Sequence, residues 1–484
     1  MPAMGALTRP LTGHSPVVEP LPGLAGLAAM DVAERFADLP GLVLLESARS
    51  GRGSRWSYLT ADPLAVLERA SPGSDPFADA RALLARLDDN ATTGGGHPPF
   101  SGGLCGYLAY DLGRRLEQLP VQARNEGRLP ELRLCLYDWV VGWDTRTGNA
   151  WLAIRSVDGN VARRERRRGE VLERLASAGQ VAGGEATATA ELPLDFTSNL
   201  DQAAFERMVQ AVRSAIAEGE LYQANVSRRL RTTFRGEPWP LYRRLRTGDP
   251  VSFAAFLDLG RVGEDGAGTR ALVSASPEPF LSVDEVRVVQ ADPIKGTRPR
   301  GRTPEEDRRL ACELLGSAKD RAENTMIVDV LRNDLGRVCE PDSVLVPRLC
   351  RLERTASVQH LVSTVTGRLE AGRDAFDLLS AAFPGGSITG APKIRAMELI
   401  ETLEPVRRGP YTGALVWIGA GGQMGSSILI RTFVADGESL SLHVGGGITW
   451  RSEPSAEWDE TVAKARGPLA AIGGREAVAR GATA

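Results

Sequence analysis

The sequence predicts an α+β fold. Short apolar runs bounded by turn residues recur through the first third of the chain and again near its C-terminal end. Long segments with helical spacing lie among them, without the regular strand–helix alternation of a doubly wound parallel sheet. At 484 residues and 42% hydrophobic content, the length suits roughly three domains or fewer if large mixed sheets form, and global disorder is excluded. The 58 basic and 61 acidic residues nearly balance, and the longest basic run is Arg163–Arg168, so nucleic acid is not expected as a main partner. No window approaches 18 uninterrupted apolar residues, and Met1–Pro20 lacks a charged segment followed by a hydrophobic one; neither a membrane span nor export is expected. The cysteines, Cys105, Cys135, Cys312, Cys339 and Cys350, are odd in number and form no C-x-x-C pair, which predicts reduced, mostly buried thiols in a cytoplasmic protein.

Taken in order, Leu42–Ser47, Leu64–Glu68, Gly103–Leu112, Leu132–Asp144 and Ala150–Val157 read as strands of a largely antiparallel sheet. Val161–Ala176 has helical potential, and the small, polar, aperiodic stretch from Ser177 to Pro193 reads as a linker. These features divide the chain into an amino-terminal region (1–176), a linker (177–193), a main domain (194–470) and a tail (471–484). Phe205, Met208, Val209, Val212 and Ile216 mark an amphipathic helix closed by Gly219. Thr303-Pro304-Glu305-Glu306 is a helix start with a capping threonine and a proline at the first position. Ala318–Leu335 repeats the helical period and Gly336 ends it. Between Gly413 and Trp450, GALVWIG, SSILIRTFV and SLSLHV are separated by glycine turns and predict a meander of hairpins. A final helix covers Ser455–Arg466.

Chemistry concentrates in the second half. Only Lys295, Lys319, Lys393 and Lys464 among the 58 basic residues are lysine, and all four fall within residues 295–464. Arginine holds its proton, whereas lysine can release one and become a nucleophile. On the final helix, Glu457, Glu460 and Lys464 fall within about 60° of arc; as a solvated face they amount only to an i,i+4 pair worth a few tenths of a kcal/mol. Asp320-Arg321-Ala322-Glu323-Asn324 supplies carboxylates from a second helix, and the two together suit Mg2+, which takes oxygen ligands. Phe383–Lys393 is a glycine-rich loop entering a helix, and Gly445-Gly446-Gly447 precedes the carboxylate helix; both can cradle an anion. Arg431 interrupts an apolar strand, where it requires a carboxylate partner. Lys295 stands in a Pro/Gly-rich stretch beside Arg298 and Arg300, and neighbouring positive charge lowers a lysine pKa. His360 and His443 are the histidines of this region, and His360 is a candidate proton carrier.

PIKGTRPRG, DRAENTMIVDVLRNDLGRV, FPGGSITGAPKIRAMELIE and GGGITWRSEPSAEWDETVAKA, in this order, resemble the motifs of the chorismate-utilising enzymes. The likeness is dense over residues 198–469; LLES at Leu44–Ser47 and GGLCGYLAYDLGRRLE at Gly102–Glu117 are similar to the family's more variable amino-terminal part. Lysine in PIKGT resembles the branch formed by component I of aminodeoxychorismate synthase, because component I of anthranilate synthase carries alanine there. Gln223 stands where isochorismate and salicylate synthases place a water-activating lysine. The resemblance implies two large antiparallel sheets packed as a sandwich with helices outside. It implies that Glu323 and Glu460 bind Mg2+ with Glu457 nearby, that Lys295 attacks chorismate, and that Glu278 protonates the departing 4-hydroxyl. Ser387, Tyr411, Arg431, Gly445, Gly446 and Gly447 would surround substrate carboxylates, with His360 and Lys464 completing the pocket. The product would be 4-amino-4-deoxychorismate, a precursor of 4-aminobenzoate and folate. Ammonia would come from a separate glutamine amidotransferase subunit, since the nearest thing to a nucleophile turn, Gly103–Tyr107, is broken by Tyr107 and Cys105 reads as packing. No fused lyase is expected after the last motif. The rival readings are anthranilate synthase component I and a non-catalytic paralogue that binds chorismate or tryptophan.

Overall fold

The structure, a computed structural model, describes residues 16–49, 54–73, 75–88, 96–177, 193–263, 266, 268–355 and 358–477. All but the ends of the predicted linker, and residues 50–53 near LLES, lie outside the described residues. Among the described residues the strands form two large sheets, of 13 and 10 strands, antiparallel except where Gly474–Glu476 runs parallel to Leu194–Ser198.

Side-chain alternation packs the sheets face to face. The strand Phe253–Val262 sends Ala254 and Phe256 to one face, into a core with Phe433, Leu442 and Leu469. Ala255 and Leu257 point the other way and meet Cys105, Tyr107 and Leu415 of the second sheet. The outer face of the second sheet buries Ile327, Leu331 and Phe376 from covering helices. The predicted α+β sandwich with helices outside is therefore the observed fold. Strands from before and after the predicted linker join both sheets.

Two predicted strands turn out to be pairs. Leu132–Asp144 breaks at Asp138, so Leu132–Tyr137 belongs to the smaller sheet and Trp139–Asp144 to the larger. SSILIRTFV breaks the same way at Arg431, whose φ is +50°, and its halves also enter different sheets. Each crossing is marked only by a single charged residue, Asp138 or Arg431, because each half is buried and only the partner strand changes. The predicted meander is thus two hairpins, one in each sheet. Residues 471–484, expected to be a tail, begin with folded structure: Ile472 is fully buried, and Glu476 accepts a 3.0 Å bond from the buried Arg228.

Six strands and three helices carry the chemistry of interest: β1 (Gln223–Thr233), β2 (Gly268–Ser276), β3 (Ile294–Pro299), α1 (Ala318–Gly336), β4 (Val358–Arg368), α2 (Gly386–Thr389), β5 (Thr432–Gly437), β6 (Ser439–Ile448) and α3 (Pro454–Ala471). Helix α1 starts where the Ser317 hydroxyl accepts from Asp320 N at 3.2 Å. Helix α3 opens on proline and continues past Gly467-Pro468, beyond its predicted end, because Leu469 is buried against the larger sheet.

Candidate active site

Strand β6 pairs with β1 from Ser439 to Ile448 but with β5 only as far as Leu442. Among the described residues one edge of β6 has no strand partner beyond Leu442, and Gly445, Gly446 and Gly447 bring no side chains of their own to it. A Cβ at Gly446 would lie 3.2 Å from Glu457 Oε2, 3.5 Å from Glu460 Oε1 and 3.8 Å from Lys464 Nζ, and one at Gly445 would collide with the Val226 carbonyl. The carboxylate face of α3 therefore caps the glycine edge. Lys464 joins the two, donating to Gly445 O at 2.8 Å and pairing with Glu460 at 2.7 Å.

Other elements bring further charges to this edge. Half-buried Lys295 on β3 directs Nζ towards Ser387 O of α2 at 3.5 Å. Glu323 on α1 lies 3.9 Å from Lys319. Glu278 follows β2, its carbonyl accepting from Ile428 N at 3.1 Å. Burial raises the Glu278 carboxyl above its ordinary range, against the pull of Lys295, the Ser387 side chain and Lys464. Burial likewise raises Glu323, opposed by Lys295 and Lys319, and raises Glu457, where the neighbouring Glu460 adds to the effect. At Glu460 burial also pushes upward, but Lys464, Lys295 and Lys319 together outweigh it and the carboxyl is lowered. Three of the four lysines thus share one field with the predicted carboxylates. The fourth, Lys393, is structural, bonding Asp334 at 2.7 Å and Ala382 O at 3.0 Å.

The arginines near Lys295 do not surround it with positive charge, as the sequence had suggested. Arg298 pairs with Glu313 and Asp320, and Arg300 with Asp307, while Glu278, Glu323 and Glu460 feel the Lys295 charge directly. Adjacency in sequence is a poor guide here because alternate residues of a strand face opposite ways. His360 on β4 lies opposite Thr297, its Nδ1 2.9 Å from that hydroxyl. Burial, then Arg431 and Arg49, lower its pKa against Glu353. Arg431 has its carboxylate partner, Asp249, at 3.6 Å. Tyr411 lies on the inner side of the sheet, its ring stacked on His443 at 5.0 Å and 12°.

The sequence singled out Gln223 but gave no sign that its side chain lacks partners, and it gave no sign of a buried Arg408. Gln223, fully buried, has both side-chain polar atoms without a hydrogen-bond partner among the described residues, and Asn225 Oδ1 likewise has none. Behind them, buried Arg408 donates to Glu404 at 2.8 and 3.0 Å, to Ile388 O at 3.1 Å and to Asn225 O at 2.6 Å, while Glu404 accepts from Ser227 N and Oγ. In the sequence this i,i+4 pair resembles any surface helix pair. Glu404→Ala leaves a buried guanidinium uncompensated, so urea denaturation should show a loss of about 3–5 kcal/mol.

No three His, Cys, Asp or Glu side chains among the described residues gather into a ready metal-ligand set. Mg2+ commonly takes only one or two carboxylates and fills its remaining positions with water and substrate oxygens. Glu323 and Glu457, raised by burial and in each other's field, have the character of carboxylates that a cation would relieve.

The family described as chorismate binding enzyme matches residues 44–470. This chain belongs to the chorismate-binding enzymes. It is 41% identical over 473 residues to anthranilate synthase component 1 of Streptomyces coelicolor, covering 96% of this chain and 88% of that one. It is 42% identical over 368 residues to aminodeoxychorismate synthase component 1 of Klebsiella aerogenes, covering 76% of each. Anthranilate synthase component I from Streptococcus pneumoniae, a solved structure, matches with a TM-score of 0.75 and 29% identity over 87% of this chain and 93% of that one. No helix among the described residues is long and apolar enough to cross a membrane. For a chorismate-binding enzyme the glycine edge sets a clear expectation. Gly446→Val puts methyl groups against the tips of Glu457 and Glu460, so chorismate KM should rise about 100-fold or more, with a loss of stability of about 1–3 kcal/mol from overpacking.

Proposed function

We propose that this chorismate-binding enzyme aminates chorismate at carbon 4, as component I of an aminodeoxychorismate synthase. One observation carries the reading: Lys295, the residue that separates the two branches, is half-buried beside Glu278, Glu323 and the Ser387 carbonyl. With its amine unprotonated, Lys295 bonds to carbon 2 of the ring. Both ring double bonds shift, from carbons 1–2 and 5–6 to carbons 1–6 and 4–5, the carbon 4–oxygen bond breaks, and Glu278 supplies the proton with which the hydroxyl leaves as water. Ammonia then bonds to carbon 4, both double bonds return to their first positions, the carbon 2–nitrogen bond breaks to free the lysine amine, and the new ammonium gives its extra proton back to the Glu278 carboxylate. Splitting one poor displacement into two is the gain of nucleophilic catalysis. Glu278 suits the acid's role because burial keeps it protonated to higher pH than an exposed carboxyl.

Mg2+, held by Glu323 and Glu460 with Glu457 beside them, would supply charge to fix the ring carboxylate. The amides of Gly445, Gly446 and Gly447, with Ser387, Tyr411, Arg431 and Lys464, orient the substrate's carboxylates, and His360 closes the pocket beside Thr297. Ammonia comes from a glutamine amidotransferase partner, as the component 1 names of the relatives suggest.

The Streptomyces relative favours a second reading, anthranilate synthase component I, in which pyruvate is eliminated. Purified protein with chorismate, ammonium and Mg2+ separates the two. The expected product is 4-amino-4-deoxychorismate, converted to 4-aminobenzoate only when a lyase is added. Fluorescent anthranilate accumulating without lyase rejects the proposal.

A further inference from the structure

Two successive carbonyls of α2 accept from different parts of the molecule. The Ser387 carbonyl accepts from Lys295 Nζ and from Asn225 Nδ2, each at 3.5 Å, so both of its lone pairs are taken. The Ile388 carbonyl accepts instead from Arg408 Nη1 at 3.1 Å. Helix α2 cannot hold this arrangement by itself. It is a single turn, Gly386–Thr389, with no side-chain cap, and one turn fixes more backbone freedom than its hydrogen bonds offset. Just past it, Gly390 pairs with Ala224 of β1, which anchors the end of the turn but leaves the direction of the Ser387 and Ile388 carbonyls to other contacts.

Arg408 supplies those contacts to two elements at once. While Nη1 holds Ile388 O of α2, Nη2 donates to Asn225 O of β1 at 2.6 Å. The Asn225 side chain then reaches across to Ser387 O. A closed ring results, running from the guanidinium through the Ile388 and Ser387 carbonyls to Asn225 and back. The other donors are engaged as well, Nε and Nη2 on the Glu404 carboxylate at 3.0 and 2.8 Å and Nη1 on Thr412 Oγ1 at 3.2 Å, in a residue only 3% exposed. A planar fork with every donor bonded has a single position. Because Glu404 neutralises the charge, and a buried ion pair adds little stability over apolar packing of equal volume, what this pair contributes is the spacing of β1 and α2.

We propose that Arg408 is a positioning residue for Lys295: by joining β1 to α2 it aims the Ser387 carbonyl at the lysine amine. This rests on the reading of Lys295 as the nucleophile, and it adds what orients that nucleophile. An unprotonated amine has two N–H bonds and one lone pair. With one N–H held by Ser387 O, rotation about the Cε–Nζ bond stops and the lone pair keeps one direction for its approach to the ring carbon. A misplacement of about 1 Å at a reacting atom can cost about 10²-fold in rate, so a group that never touches the substrate can still control turnover.

Arg408→Lys keeps a positive charge for Glu404 but replaces the fork with a point charge that cannot serve both carbonyls. With chorismate, ammonium and Mg2+, kcat should fall about 30-fold or more while chorismate KM stays within about threefold. The decisive readout is coupling. In a Lys295→Ala background, where no amine is left to aim, the same Arg408→Lys change should alter the residual rate by no more than about twofold, as expected of residues that act as a unit. A general weakening of the fold would instead lower the rate equally in both backgrounds, and that result overturns the proposal. So does a kcat for Arg408→Lys within about threefold of the wild type. Asn225→Ala opens the ring at its other side and leaves the buried Glu404–Arg408 pair in place, so it serves even where Arg408→Lys does not fold. It should show the same pattern with a loss of about tenfold, and equal losses in the two backgrounds again overturn the proposal. A Lys295→Ala enzyme with turnover near the wild type rejects the nucleophile reading and this proposal with it, whereas equal losses reject the role of Arg408 alone.

Discussion

Lys295→Ala should lower ammonium-dependent consumption of chorismate by about 10³-fold or more, the scale expected when a covalent nucleophile is removed, while Mg2+-dependent chorismate binding stays within about threefold. Binding survives because the glycine edge, Lys464 and the α3 carboxylates do not depend on Lys295 for their positions. The companion Lys295→Arg keeps the positive charge felt by Glu278, Glu323 and Glu460 but cannot present an unprotonated amine. It should be nearly as inactive as the alanine variant. Turnover by Lys295→Arg within tenfold of the wild type would show that the residue acts only as a charge, and the covalent route would fall. Titration calorimetry with chorismate and steady-state rates on the same preparations supply both readouts.

Glu278→Gln removes the proposed acid and should cost about 10²–10⁴ in kcat, the usual weight of general acid catalysis. The pH dependence identifies the group. Burial raises the native pKa of Glu278, so the protonated, active acid persists above the ordinary carboxyl value near 4.3, and the wild-type rate should fall as pH rises through the native value. The glutamine variant should lose that alkaline limb. Stability follows the same sign. A carboxyl with a raised native pKa binds its proton more tightly in the folded state, so its contribution is full below the unfolded value and is lost as pH rises through the native one. The thermal midpoint of Glu278→Gln relative to wild type should therefore increase with pH across that window; a flat difference would mean that Glu278 does not titrate as a buried acid.

The way each prediction depends on geometry shows which parts of the molecule could be read from the chain. The helix at Ala318–Gly336 was legible because its cap, period and stop are local, and so was the carboxylate face of α3, where Glu457, Glu460 and Lys464 share one side at helical spacing. The concentration of lysines was legible too, and three of the four share the site. The cationic surroundings inferred for Lys295 were not correct, because side chains on a strand alternate and Arg298 and Arg300 have carboxylates of their own. The crossings at Asp138 and Arg431 were invisible, since a strand buried in one sheet has the same apolar pattern as a strand buried in the other.

Residue order alone determined the family, the α+β class and the cast of catalytic candidates, because all of these rest on short-range spacing and on motifs that keep their order along the chain. Tertiary structure decided where β6 loses its partner, which glycines face α3, and how Glu404 and Arg408 come to lie buried against Asn225 and Ser227. The bonds that Glu404 accepts from Ser227 cross 177 residues, and the energy of a buried charge or an open strand edge depends on what surrounds it in space, which no local pattern of residues records.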